Sequence, residues 1–413
     1  MKRSFRLISE ARAVAGKALC AVGLVAMTSL PAQAGAKEDA LAKLEECVAN
    51  KWGCSSFNLG QFRDLTEIPA ELLSVRSIGS LSFGNVPISD LSTLAKMPWL
   101  KKIDLGRTPA TDLSVLGKLP LLQNLNLNGT ATDLSFTADM LGLEELSLYN
   151  AKIDDFAPLS KLRVIEKLSL QSTSVRDLSV LSNMGRLSEL NITDTGINDL
   201  TPLQNNYALK TLSLAKTSVK DLSPVSSLPL LSKLDMQDSS VTDLGPIAGI
   251  VRLKTLFIKN RGITDLSPLS NLIGLEQLHI RQSGVTDLNA LGSVQSLKQL
   301  RINGSTITDI SAVGELTALE ALELKTPEAT DYSKLASLIK LKNLNLSESG
   351  VTDLAFVKEM QKLANISVEK TSVTDLSPLL GLAELKYVYL RNVPDLVEDQ
   401  VSALEAKGIK IYR

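Results

Sequence analysis

The chain predicts an α/β solenoid: a curved, right-handed coil with one parallel β-sheet on its concave side and short 3₁₀ or turn segments on its convex side. Three observations predict it. The phrase VTDLSPL at 373–379 has close copies at 197–203, 219–225, 241–247 and 263–269. Its aspartate falls at 90, 112, 133, 155, 177, 199, 221, 243, 265, 287, 309, 331, 353 and 375, a step of 22 residues broken once by a step of 21. Each period also holds one stretch that alternates apolar and polar, as Leu278-His279-Ile280 does, and alternation marks a half-buried strand. A fixed period of this length is the mark of stacked coils that share one core.

The elements follow in chain order. Residues 1–34 read as a signal segment: Lys2, Arg3 and Arg6 precede the apolar run Ala18–Leu30, and Ala32-Gln33-Ala34 fits the small-residue cleavage pattern. The run is too short to span a bilayer comfortably, so the mature chain is expected to start at Gly35 and to be exported, to the periplasm or beyond. Residues 35–64 are expected to form an N-terminal helical cap. Within it Glu38–Asn50 reads as a short amphipathic helix with Ala40, Leu41, Leu44 and Cys47 on one side. Cys47 and Cys54 are the two cysteines left after cleavage. An even count in an exported chain suggests a disulfide between them; two free buried thiols are the alternative.

Residues 65–392 carry the repeats, about fifteen coils. In the coil 265–286, apolar residues fall at Leu266, Leu269, Leu272, Leu275, Leu278, Ile280 and Val285. The segment between phrase and strand is too short for an α-helix, so a 3₁₀ turn is expected there. Ser267 suits its cap, and Pro268 its first position. The repeated Asp is expected to accept backbone N–H bonds and set a turn as the chain leaves the strand. A calcium ladder on these aspartates is the alternative, but one carboxylate per coil is far from the six to eight oxygens calcium takes. Residues 393–413 close the chain: a helix over Glu398–Lys407, a stop at Gly408 and a final strand at Ile409–Tyr412.

The pattern L-x-x-L-x-L-x-x-x-x-V-x-D-L over roughly 65–395 resembles the leucine-rich repeat, in the short form found in internalin-like proteins of bacterial surfaces and secretions. The resemblance implies a leucine-rich-repeat horseshoe that binds another protein on its concave face, without catalysis. One departure stands out: the asparagine usual in the repeat is Thr or Ser in ten copies, Thr108 through Thr371.

Composition narrows the function. Without the five basic residues and Glu10 of the signal segment, 39 basic and 44 acidic residues remain, a net charge of −5. Such a chain has no general pull toward nucleic acid. One histidine, His279, excludes a multi-histidine metal site, and no phosphate-cradling or nucleophile motif occurs. No cofactor is implied, and a monomer is expected. The positions left free are those between the strand leucines. Their central column, Ser82 through Tyr389, is mostly small and polar. The concave face changes character between coils 257 and 301, where Phe257, Lys259, His279, Arg281 and Arg301 fall on adjacent strands at outward positions and form the candidate binding patch, a positive one. Surface drift among repeats is the plainer reading of the same residues. Tyr387, Tyr389 and Arg391 form a second candidate, or a shield for the last coil. A periplasmic envelope-associated or glycan-binding role is the alternative function.

Overall fold

The computed structural model describes residues 33–413 apart from Lys51, Ser305 and Asp395. The expected signal segment lies outside the described residues but for Gln33 and Ala34. Helix α1, Gln33–Ala49, is followed by strands β1 (Ser56–Asn58) through β17 (Lys410–Tyr412), with helix α2, Glu398–Ala406, before the last. Among the described residues one sheet of 17 strands forms, each strand pairing in parallel with the next. At about 4.8 Å per strand it runs roughly 75 Å.

Why these residues form coils is visible in the coil 265–286. The seven apolar residues that recur in its pattern are buried, none more than 2% exposed, while Ile273, outside the pattern, is 72% exposed. Each stabilises the fold by about 1.5–3 kcal/mol relative to exposure, but only because neighbouring coils cover it. The register makes this continuous: Leu256 lies beside Leu278, and Leu278 beside Leu300. The return arc is a 3₁₀ turn such as Ser267–Asn271.

The phrase aspartates work at the start of that arc rather than at the strand end. Asp265 Oδ1 accepts the Ser267 N–H at 2.7 Å, and all fourteen phrase aspartates make the same bond to the residue two places on. Ser267 therefore does not cap the turn, as its position suggests; it is the first residue of the turn, and its hydroxyl donates to Asp265 Oδ2 at 2.7 Å. The reason is reach: the carboxylate two residues back already meets the orphan N–H. In place of the repeat's usual asparagine, Thr173, Thr217 and Thr371 are buried, and each hydroxyl donates to the carbonyl three residues back at 2.6 Å.

Both ends of the core are covered. Ala40 and Leu44 of α1 are buried in the common core, and Cys47 and Cys54 are disulfide-bonded. The helix starts at Gln33, five residues before the expected Glu38. The segment expected to be all cap also supplies β1, whose Phe57 continues the leucine row beside Leu81. At the other end Val401 and Leu404 of α2 are buried. Gln400 accepts the Leu376 N–H at 2.6 Å and donates to Asp375 at 2.7 Å, tying α2 to the last phrase.

A Leu278→Asp substitution places an uncompensated charge inside the row. A loss of about 3–5 kcal/mol is expected, read as a lower urea midpoint by circular dichroism; an unchanged midpoint would mean that the register is wrong.

Candidate functional site

The outward column is one uninterrupted row of partners across the sheet. It includes Asp235 beside Phe257, Phe257 beside His279, His279 beside Arg301 and Arg301 beside Glu323. Small members elsewhere leave room above the sheet. A groove of about 430 Å³ runs over strands with Asn126, Ser147, Ser169 and Asn191 on its floor. A second, of about 450 Å³, runs from Arg301 and Glu323 over Asn345 and Ser367 to Tyr389. Phe257 and His279 lie between the two grooves, their ring centroids 4.7 Å apart and tilted by 46°. Lys233 stands over the Phe257 ring at 5.6 Å.

The strands change length here. Most strands of the sheet have three residues, but β10 (Thr255–Lys259), β11 (Gln277–Arg281), β12 (Gln299–Asn303) and β13 (Ala321–Lys325) have five. Side-chain chemistry accounts for part of the contrast. In five other coils the column residue is Asp or Asn, and its Oδ1 accepts the backbone N–H two residues on at 2.9–3.2 Å. That bond diverts one backbone N–H from the ladder. Phe257, His279, Arg301 and Glu323 cannot make it, and pairing continues there, although the strands of Ser82, Ser169, Ser213, Ser367 and Tyr389 stop at three residues without it. The extra residues form a second outward row, Lys259, Arg281, Asn303 and Lys325.

All five candidate patch residues thus lie on adjacent strands, yet the patch carries less free charge than its composition implies. Lys259 pairs with Asp238 at 3.1 Å, and Arg301 lies 3.8 Å from Glu323. His279 is not a cation at neutral pH: burial first, then the Arg301 and Arg281 guanidiniums, push its pKa down to about 4. Its Nε2 is buried without a hydrogen-bond partner. Arg281 makes no ion pair among the described residues.

At the other candidate site Tyr389 stacks on Tyr412, with centroids 4.8 Å apart and planes 10° apart. Tyr387 lies 6.3 Å from Tyr412, and Lys410 lies 5.8 Å from the Tyr387 ring centroid. Arg391 is exposed at the rim. Sequence reasoning missed Tyr412, Lys233, Asn303 and Lys325. Counting on by 22 from Lys259 and Arg281 would have found Asn303 and Lys325, and the alternation in the final strand would have put Tyr412 beside Tyr389.

No protein-family model matches the chain, and no curated protein does. Solved structures do. A crystal structure of an internalin, inlF, from Listeria monocytogenes is 28% identical, with a TM-score of 0.63 over 88% of this chain and 98% of that one. The chain is a leucine-rich-repeat protein with internalin-like repeats. A leucine-rich-repeat protein of Leptospira interrogans matches at 19% identity with a TM-score of 0.74, over 90% of this chain and 98% of that one. The plant peptide hormone receptor RGFR1, in complex with RGF2, matches at 14% identity with a TM-score of 0.54, over 81% of this chain and 64% of that one. The last two likenesses show the leucine-rich-repeat fold alone.

The depressed His279 pKa has a consequence for stability. An unfolded histidine takes its proton near 6.5, the folded one near 4. The stability this group contributes is present above pH 6.5 and is lost as pH falls toward 4. Urea midpoints of wild type and His279→Gln at pH 7 and pH 4.5 test this: wild type is expected to lose more between the two. Parallel losses would show a histidine that titrates normally.

Proposed function

We propose that this leucine-rich-repeat protein is an exported, non-catalytic binder of another protein, and that the partner sits on the concave face across Phe257. The observation that carries the reading is the break in the outward column: a row of small polar residues gives way to an aromatic pair set among cations, between two open grooves. Aromatic and arginine side chains at a central position are the residues that most often dominate binding energy. A row this long suits a macromolecule better than a small metabolite. The likeness to an internalin structure and to a receptor solved with RGF2 is consistent with that use of the fold.

Export rests on the basic and apolar character of residues 1–34 and on the Cys47–Cys54 disulfide, which suits an oxidising compartment. No helix among the described residues is long and apolar enough to cross a membrane. The organisation that fits is a signal segment over 1–34, a cap over 35–64, the array over 65–392 and a closing cap over 393–413. Tyr387, Tyr389 and Arg391 are assigned to shielding the last coils, since Tyr412 covers one face of Tyr389.

Two measurements test the reading. The protein made with its own signal segment should leave the cytoplasm with Gly35 as its first residue by mass spectrometry; an exported form that keeps Met1 would refute the processing. Once a partner has been captured on the mature protein, Phe257→Ala combined with Arg281→Glu should weaken binding at least tenfold, about 1.4 kcal/mol. Unchanged affinity would move the site off this part of the face.

A further inference from the structure

We propose that the four lengthened strands form a docking row for an acidic segment of the protein partner, with Arg281 as the cation that receives its carboxylate. The inference rests on the reading of the concave face as a protein-binding surface and names the chemistry of what binds there.

Position within the repeat is the first support. The place taken by Arg281 occurs in every coil. It is Gly84, Gly106, Asn128, Tyr149, Gln171, Thr193, Ala215 and Gln237 on the way to the patch, and Ser347 and Glu369 after it. Cations stand there at Lys259, Arg281 and Lys325, in the four coils whose strands run on to present them, and again only at Arg391 in the last coil, away from the Phe257–His279 pair.

Charge balance is the second. The outer cations of the row are already answered from within the chain: Lys259 by Asp238 at 3.1 Å and Lys325 by Glu348 at 3.8 Å. Arg301 in the column beside them has Glu323 at 3.8 Å. Arg281 sits between these pairs, half-buried and with no ion pair among the described residues. Its row neighbours are Lys259 and the uncharged amide Asn303. A guanidinium offers two parallel donors to a carboxylate, so one acidic side chain is the complement of this position. The flanking acids, Asp238 and Glu348, restrict that complement to the middle of the row, because an acidic segment laid across either end meets like charge. On a mature chain of net charge −5 the attraction is local and sets where an acidic segment lands.

The chain's single histidine reports on the site without knowledge of the partner. His279 shares β11 with Arg281, two residues before it, and lies beside Arg301 on the next strand. Its ring signal is therefore unique in the protein and local to the row.

The test titrates the full mature protein at pH 7 with a hexaglutamate peptide and follows the His279 ring signal by NMR. A saturable shift is expected, absent with hexalysine and weakened at least tenfold in Arg281→Gln. Lys102→Gln, which removes one cation from the N-terminal groove, should leave it unchanged. A signal that does not move, or equal weakening in Arg281→Gln and Lys102→Gln, would overturn the inference, as would a response to dextran sulfate with none to hexaglutamate. Circular dichroism of each variant confirms that it is folded, and Asn303→Asp, which sets an acid beside Arg281, should weaken the peptide by an independent route. Failure here removes the acidic segment alone. Failure of the concave-face reading shows separately, as a captured partner indifferent to Phe257→Ala.

Discussion

Leu278 has other apolar side chains above, below and behind it, and those above and below belong to other coils. A 22-residue coil cannot remove its own leucines from water, so every coil depends on the two it touches. The rest of the structure answers to this constraint. The phrase aspartates hold each return arc at the same length, so that the next strand arrives in register. Helices α1 and α2 stand where the stack would otherwise end in exposed leucines. The 21-residue step into Asp133 is tolerated because register is kept on the sheet side, where Leu125 still pairs with Leu146.

With the inward positions committed to the core, the outward column is chemically free, but it is not structurally silent. An Asp or Asn there takes the backbone N–H two residues on and ends the strand. Phe257, His279, Arg301 and Glu323 do not, and the sheet widens under them. The aspartates of the phrase show the same economy on the convex side. Ten of them are held below the usual carboxylate range by backbone N–H and hydroxyl donors two residues on, with Ser or Thr at that place each time. Their contribution to stability is present above the ordinary aspartate pKa and is lost as pH falls below it.

Much of this was legible in the sequence. The period gave the coil, the alternation gave the strand face, and the column from Ser82 to Tyr389 is the row the structure forms. What stayed hidden depends on contacts between coils. The pairing of Lys259 with Asp238 and of Arg301 with Glu323 joins residues about one period apart, and composition alone counts such groups as free charge. The neutrality of His279 follows from burial beside two guanidiniums, which no residue type announces. Strand length was hidden as well, because it is settled by backbone pairing between neighbouring coils.

Departures from the repeat are where a binding site can arise at small cost. Nearest-neighbour stability means that a change in one outward residue leaves the inward leucines and their partners as they were. A run of four altered coils can then differ from the rest in strand length, aromatic content and charge while sharing the same buried rows. The same logic limits the site: a new cation is useful to a partner only where the chain's own acids leave it unpaired. Arg281 meets that condition, and the other cations of its row, Lys259 and Lys325, do not.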